Sequence, residues 1–152
     1  MDYDSLKLEN QICFPLYACA REIVNSYKPF LDELGLTYTQ YITMMVLWEK
    51  GQVTVKELGG FLYLDSGTLT PLLKKMESAG LVTRHRSKED ERNLIVTITQ
   101  KGKALREKAV KVPEEMKSCF PLSPDSAKDL YRTLYDILGR VGRKGQKKTQ
   151  AQ

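Results

Sequence analysis

Asp65-Ser66-Gly67-Thr68-Leu69-Thr70-Pro71-Leu72-Leu73-Lys74-Lys75-Met76-Glu77 carries two patterns in one short segment. Leu69, Leu72, Leu73 and Met76 recur at i, i+3, i+4 and i+7, the spacing of a helix with one buried stripe. The opposite face is small and polar at its leading end, with Ser66 and Thr68, and basic a turn later, with Lys74 and Lys75. Asp65 has the side chain of an N-cap, and Gly80 ends the helix. A compact polar tip of this kind suits the major groove of DNA, which is about 12 Å wide and admits one α-helix. Asp65, Ser66, Thr68 and Thr70 offer short donors and acceptors, and Gly67 permits close approach. The helix N-terminus aims backbone N–H groups at phosphate. Lys74 and Lys75 can reach the DNA backbone.

The neighbouring segments give this helix a setting. Upstream, Thr54 caps a short helix, Val55 to Gly59. Before that, Thr39 caps another, Gln40 to Glu49, with Ile42, Met45 and Val46 inward and Gly51 at its end. Downstream, Leu81 to Arg86 and Leu94 to Thr99 read as two strands. Leu94, Val96 and Ile98 alternate onto one face of the second. The charged tip Ser87-Lys88-Glu89-Asp90-Glu91-Arg92-Asn93 joins them, and Arg84, Arg86 and Arg92 make the hairpin basic. Arg92 is placed to enter a minor groove, where arginine is favoured. Helix, turn, helix and hairpin in that order is the plan of a winged helix-turn-helix. The chain is mainly α, an α+β fold.

The outer segments do not fit inside so small a unit. From Leu8 to Leu34, apolar residues fall near helical spacing and predict one long helix, kinked where Pro15 and Pro29 remove hydrogen bonds. A helix from Lys101 toward Lys117 is broken by Pro113. A last one runs from Ser123 to about Leu138, with Pro124 in its first turn. In a lone subunit these helices expose apolar stripes, which is unfavourable. Pairing N- and C-terminal helices between two chains covers them, so an obligate homodimer is expected. The expected layout is a dimerisation helix over residues 1–34, a winged unit over 35–99, dimerisation helices over 100–139 and a basic, disordered tail over 140–152.

The 152 residues make about one domain. Apolar residues are 41% and charged residues 28%, the balance of a globular chain. No apolar run reaches the roughly 18 residues that cross a bilayer, and the acidic start Met1-Asp2-Tyr3-Asp4 is unlike a signal peptide, so a cytoplasmic protein without membrane contact is expected. The net charge of +5 is concentrated at one end. Arg140, Arg143, Lys144, Lys147 and Lys148 supply all of it, and the rest of the chain is balanced. Three cysteines, Cys13, Cys19 and Cys119, do not make a disulfide framework in a reducing compartment. One histidine, His85, and no close cysteine pair argue against structural zinc. No cofactor is expected.

Residues 64–77 and the tip Lys88-Glu89-Asp90-Glu91-Arg92-Asn93 resemble the recognition helix and wing of the MarR family of regulators, most of all its organic-hydroperoxide-sensing branch. The resemblance extends from about Lys7 to Leu138. It implies a winged-helix homodimer that represses transcription from a palindromic operator until oxidised. It also implies that Asp65, Ser66, Thr68 and Arg92 sit at DNA-contacting or site-shaping positions. Two copies of the reading helix would lie about 34–36 Å apart on such a palindrome.

A peroxide-sensing thiol needs access and a way to hold its thiolate, which phenol hydroxyls can supply by donating hydrogen bonds. Tyr27 lies fourteen residues beyond Cys13, about 21 Å along a straight helix, so it cannot reach Cys13 of its own chain. In an antiparallel pairing of first helices, the partner's Tyr27 and Tyr38 could do so. The resemblance matches Cys13, Tyr27 and Tyr38 to the reactive cysteine and its tyrosines in these repressors. Cys19 lies off the Cys13 face and is expected in the core. Branch members either cap the oxidised cysteine with a low-molecular-weight thiol or resolve it with a second cysteine. Cys119 is a candidate for that second role, and both routes stay open.

Three other readings compete. A regulator of the same fold could answer a small apolar or phenolic ligand without oxidation. A thiol peroxidase could use Cys13 and Cys119, although the sequence has no Gly-rich or Thr-x-x-Cys site, and turnover of peroxide would reveal it. A dimeric interaction module would bind no DNA. The expectation is a regulator and not an enzyme.

Overall fold

The computed structural model describes residues 3–119 and 122–149, with side chains as far as Val141. It divides into two compact units, one ending at Cys119 and one following it.

The first unit opens with two 3-10 turns, Asp4–Leu6 and Leu8–Asn10, followed by α1 (Cys13–Ser26) and α2 (Lys28–Asp32). The single long helix expected from Leu8 to Leu34 is thus divided, and the prolines explain where. Pro15 stands third in α1, among the first amides that have no intrahelical acceptor, so it starts the helix and introduces no kink. Pro29 cannot donate to the Asn25 carbonyl, so α1 stops and α2 begins around Tyr27. No α1 residue is buried, and Cys19 is exposed, contrary to its expected place in the core. Its side chain falls on a helix that buries none of its residues within the unit.

The helix α3 (Tyr38–Lys50) starts two residues earlier than expected. Thr37, not Thr39, caps it: Thr37 Oγ1 accepts from the Gln40 amide at 3.3 Å, and Gln40 Oε1 accepts from the Thr37 amide at 2.9 Å. Its inward face is Tyr41, Thr43, Met44 and Leu47, whereas Met45 is exposed. Gly51 closes it at φ +76°.

Next comes β1 (Gln52–Thr54), a strand too short to register as alternation in sequence. Thr54 and Glu57 then form a second capping box, opening α4 (Val55–Leu62). The reading helix α5 (Ser66–Ser78) follows, with Asp65 as its N-cap. It buries Leu69, Leu73 and Met76, with Leu72 partly covered, so the predicted stripe holds. The turn before it is tight: a Cβ on Gly59 would stand 2.6 Å from the Leu64 carbonyl oxygen.

The hairpin of β2 (Val82–Arg86) and β3 (Leu94–Ile98) joins β1 in an antiparallel sheet of order β1-β3-β2. Val96 pairs with Val53 on one side and Arg84 on the other. Val53, Val82, Val96 and Ile98 face α3, α4 and α5, completing a core with Leu47, Leu58 and Met76. The helices α6 (Gln100–Ala109) and α7 (Val112–Cys119) are separated as Pro113 predicts, and Ala109, Val112 and Met116 are buried in the same core. They belong to the compact unit that carries the wing, rather than to a separate C-terminal body.

The second unit is α8 (Pro124–Thr149). Ser123 Oγ accepts from the Ser126 amide and caps it. The helix continues past the expected end at Leu138, so the backbone of residues 140–149 is helical where a disordered tail is expected. Residues 150–152 lie outside the described residues. Leu130, Leu134, Ile137, Leu138 and Val141 fall on one stripe, with Leu130, Ile137 and Val141 exposed. No helix among the described residues is long and apolar enough to cross a membrane.

Candidate functional site

The polar tip of α5 is built by its cap. Asp65 Oδ1 accepts from the Thr68 amide at 2.8 Å, and Oδ2 accepts from the Thr68 hydroxyl at 3.3 Å. These bonds, the backbone one first, hold the Asp65 carboxyl below its ordinary range. A Cβ on Gly67 would stand 3.0 Å from Asp65 Oδ1, so the glycine serves the cap as well as leaving room for a partner. The Thr70 hydroxyl donates back to the Ser66 carbonyl at 2.7 Å. Ser66, Gly67, Thr68, Thr70, Lys74 and Lys75 are all exposed, on the side of α5 away from Leu69, Leu73 and Met76.

The wing tip is organised by Asp90. Its carboxylate accepts from the Arg92 backbone amide at 3.1 Å and from the guanidinium at 3.0 and 3.2 Å, which lowers its pKa. The Arg92 side chain nevertheless remains 90% exposed, an anchored cation presented to solvent. Arg86 is exposed and ties the tip together by donating to the Glu91 carbonyl at 2.6 Å. Arg84 differs from the other two. Its guanidinium is engaged by Glu77 of α5, at 2.6 Å for the closest pair, and is mostly covered. Of the three hairpin arginines expected at DNA, Arg84 is thus the one held by a partner seven residues back, across a turn.

The thiol and phenols are separated within the chain. Cys13 is the first residue of α1 and is exposed, whereas Tyr27 lies just beyond the other end. Fourteen residues of helical rise put them about 21 Å apart. Tyr27 and Tyr38 do meet, with ring centroids 4.9 Å apart. Tyr41 continues the cluster 6.0 Å from Tyr27, and Trp48 lies 6.2 Å from Tyr41. Tyr41 and Trp48 join the two tyrosines that the sequence singles out. They share a face of α3 with Tyr38 at i+3 and i+10, a spacing visible once the Thr37 cap sets the helix start. Burial raises the pKa of all three phenols, and Tyr27 adds to the rise at Tyr38 and Tyr41. Each therefore stays protonated at neutral pH and remains a donor. Beside the cluster lies an apolar groove of about 160 Å³ formed by Tyr41, Met45, Trp48, Ala109, Val110 and Pro113, with Arg106 at its edge. Cys119 is exposed near the end of α7, with its sulfur 3.9 Å from the Glu115 carbonyl oxygen.

A capped helix pair whose second member presents a polar tip, followed at once by a hairpin with an anchored arginine, defines a winged helix-turn-helix transcriptional regulator. A family profile described as transcriptional regulator SarA/Rot matches residues 25–109. An organic hydroperoxide resistance transcriptional regulator of Bacillus subtilis is 49% identical over 142 residues, spanning 93% of this chain and 97% of that protein. Among solved structures, reduced AbfR bound to DNA aligns with a TM-score of 0.75 at 34% identity, covering 91% of this chain and 96% of the other. The disulfide-formed state of AbfR, a Staphylococcus epidermidis protein, aligns with a TM-score of 0.62 at 36% identity, covering 89% and 95%. The chain belongs to the MarR family of transcriptional regulators, in its organic-hydroperoxide-sensing branch.

Proposed function

We propose that the protein is a cytoplasmic, homodimeric repressor that binds a palindromic DNA operator and is released when an organic hydroperoxide oxidises Cys13. The observation that carries this reading is the split site: an exposed thiol at one end of α1, and two protonated phenols, 4.9 Å apart, beyond the other end. Crossing two copies of α1 in opposite directions brings one chain's Cys13 to the other's Tyr27 and Tyr38. The exposed apolar side chains of Ile12, Phe14 and Leu16 supply surface for that pairing.

In the reduced dimer the phenol hydroxyls donate to the Cys13 sulfur. The thiolate attacks the terminal peroxide oxygen, the O–O bond breaks, and the alkoxide leaves, taking a proton to become the alcohol. Cys13 becomes a sulfenic acid. The larger, altered sulfur no longer accepts the two phenol bonds in the same geometry, and the pairing of the dimer helices changes. A second thiol then condenses with the sulfenic acid to give a disulfide and water. That thiol is either a small cellular thiol or Cys119. The reading helices use Ser66, Thr68 and Thr70 in the major groove, and Lys74 and Lys75 at phosphate. Arg92 enters the minor groove beside them, with Arg86 at the backbone.

The test is a gel shift on the duplex upstream of the protein's own gene, before and after treatment with cumene hydroperoxide. Wild type should bind and then dissociate. Cys13→Ser should bind and stay bound, and Tyr27→Phe with Tyr38→Phe should respond more slowly. Release of Cys13→Ser by peroxide overturns the sensor assignment. The apolar groove beside Tyr41 and Trp48 favours one second reading, release by a small apolar or phenolic ligand. Dissociation by such a ligand under fully reducing conditions would select it.

A further inference from the structure

Glu77 sits one residue from the end of the reading helix, and Arg84 lies at the middle of β2, the first strand of the wing. Between them the chain reverses through Gly80 at φ +72°, with the Leu81 amide bonded back to the Met76 carbonyl at 3.0 Å. This reversal turns a sequence separation of seven into direct contact. Glu77 Oε1 accepts from the Arg84 backbone amide at 3.0 Å. Glu77 Oε2 accepts from Arg84 Nε at 3.1 Å and Nη2 at 2.6 Å. One carboxylate therefore holds both the backbone and the side chain of a single wing residue. The Arg84 side chain is 18% exposed, against 90% for Arg92 in the pair at the wing tip. Hydrogen bonds from Arg84 also keep the Glu77 carboxyl below its ordinary range.

The consequence lies in what Arg84 is attached to. It pairs with Val96 of β3, and the ladder continues from Arg84 through Arg86 opposite Leu94 to the tip that carries Arg92. Two charged hydrogen bonds from a planar guanidinium restrict angle as well as distance. We propose that the Glu77–Arg84 pair is a clamp fixing the wing's angle to the reading helix, so that Arg92 and the tip of α5 meet adjacent grooves in one register. Arg84 is then a positioning residue, not a DNA contact. The inference rests on the DNA-reading function proposed above, and its test separates the two.

Electrostatics supply the discriminating sign. Removing a carboxylate from a DNA-facing surface should by itself strengthen binding to a polyanion. A clamp predicts the reverse for the operator. The experiment measures binding by fluorescence anisotropy to the operator duplex and to an unrelated duplex of equal length, for wild type, Glu77→Gln, Glu77→Ala, Arg84→Gln and Arg84→Lys. Glu77→Gln should weaken operator binding about tenfold, or about 1.4 kcal/mol. Its binding to the unrelated duplex should be unchanged or tighter. Arg84→Lys, which keeps the charge but not the planar fork, should lose less than Arg84→Gln. Hydroxyl-radical protection at the wing's minor-groove positions should fade while that of the reading helix persists.

Hydrogen exchange on the DNA-free dimer gives a second readout. Glu77→Gln should speed exchange of amides 82–98 and leave those of α3 unchanged. Operator binding by Glu77→Gln and Glu77→Ala as tight as wild type would overturn the clamp. So would uniform weakening of both duplexes by Arg84→Gln with the salt slope reduced by about 0.9, the mark of a phosphate contact. Unchanged wing exchange also overturns it. If wild type ignores the operator but Glu77→Gln loosens the wing, the clamp stands and the DNA-reading function falls.

Discussion

Replacing Gly102 by alanine sets two physical effects against each other, and the structure says which wins. Gly102 is third in α6, and its amide donates to the Thr99 cap at 3.0 Å. Its carbonyl accepts the Trp48 indole N–H at 2.8 Å. An added Cβ would run into the Leu81 carbonyl oxygen and stand 2.8 Å from Ile98 Cγ1 and 3.2 Å from Met44 Cε. Two of these neighbours are fixed, one as backbone and the other as a buried β-branched side chain on the sheet. Overpacking of this kind destabilises by about 1–3 kcal/mol. Against it stands the better helix propensity of alanine, at most about 1 kcal/mol and less in a first turn. The net expectation is a loss of about 1–2 kcal/mol, which for a chain this size lowers Tm by roughly 2–8 °C. Trp48 is the only tryptophan and bonds to this residue, so its fluorescence follows urea unfolding at the site itself. The midpoint should fall with the m-value unchanged. Gly60→Ala, where an added Cβ meets nothing within 4 Å, is the opposite case. It should stabilise by about 0.5–1 kcal/mol. A Gly102→Ala midpoint equal to or above wild type would refute the close packing of α6 on the sheet.

Three further outcomes are expected. The carboxyls of Glu57, Asp65, Glu77 and Asp90 are lowered in the fold, so their stabilisation is complete above the ordinary values of 4.5 and 3.8 and is lost as pH falls through the folded values. Tyr27, Tyr38 and Tyr41 are raised, so their contribution is complete below 10.0 and is lost as pH rises beyond it; urea midpoints across pH should show both flanks. Pro15→Ala should leave helix content by circular dichroism and Tm nearly unchanged, because Pro15 occupies a first-turn position; a large gain in helicity would contradict that placement. Ile137→Asp, on the exposed stripe of α8, should shift the dimer toward monomer in light scattering, and an unchanged mass would remove α8 from the pairing surface.

The elements that are legible in the sequence are those whose causes lie within a few residues. Thr54 and Asp65 cap their helices through bonds to amides three positions on. Leu69, Leu73 and Met76 share a face because a helix repeats every 3.6 residues. Val96 and Ile98 point inward because a strand repeats every two. The reading helix, the wing and the arginine at its tip follow from such short-range rules. The α3 cap was equally local: Thr37-Tyr38-Thr39-Gln40 spells a capping box, and starting the helix after Thr39 passes over it.

What only the tertiary structure decided depends on contacts between distant residues. The strand β1 has three residues and no pattern of its own; it exists because β3 offers a free edge at Val96 and Ile95. Exposure of Cys19 depends on what packs against α1, which its own periodicity does not state. Arg84 reads as one more base in the hairpin until the turn at Gly80 lays it against Glu77. The same limit governs the sensor. Sequence names Cys13, Tyr27 and Tyr38, but helix length keeps the thiol from the phenols within one chain. A hydrogen bond spans about 3 Å, so fourteen residues of α1 separate groups whose chemistry requires contact, and folding alone does not bring them together.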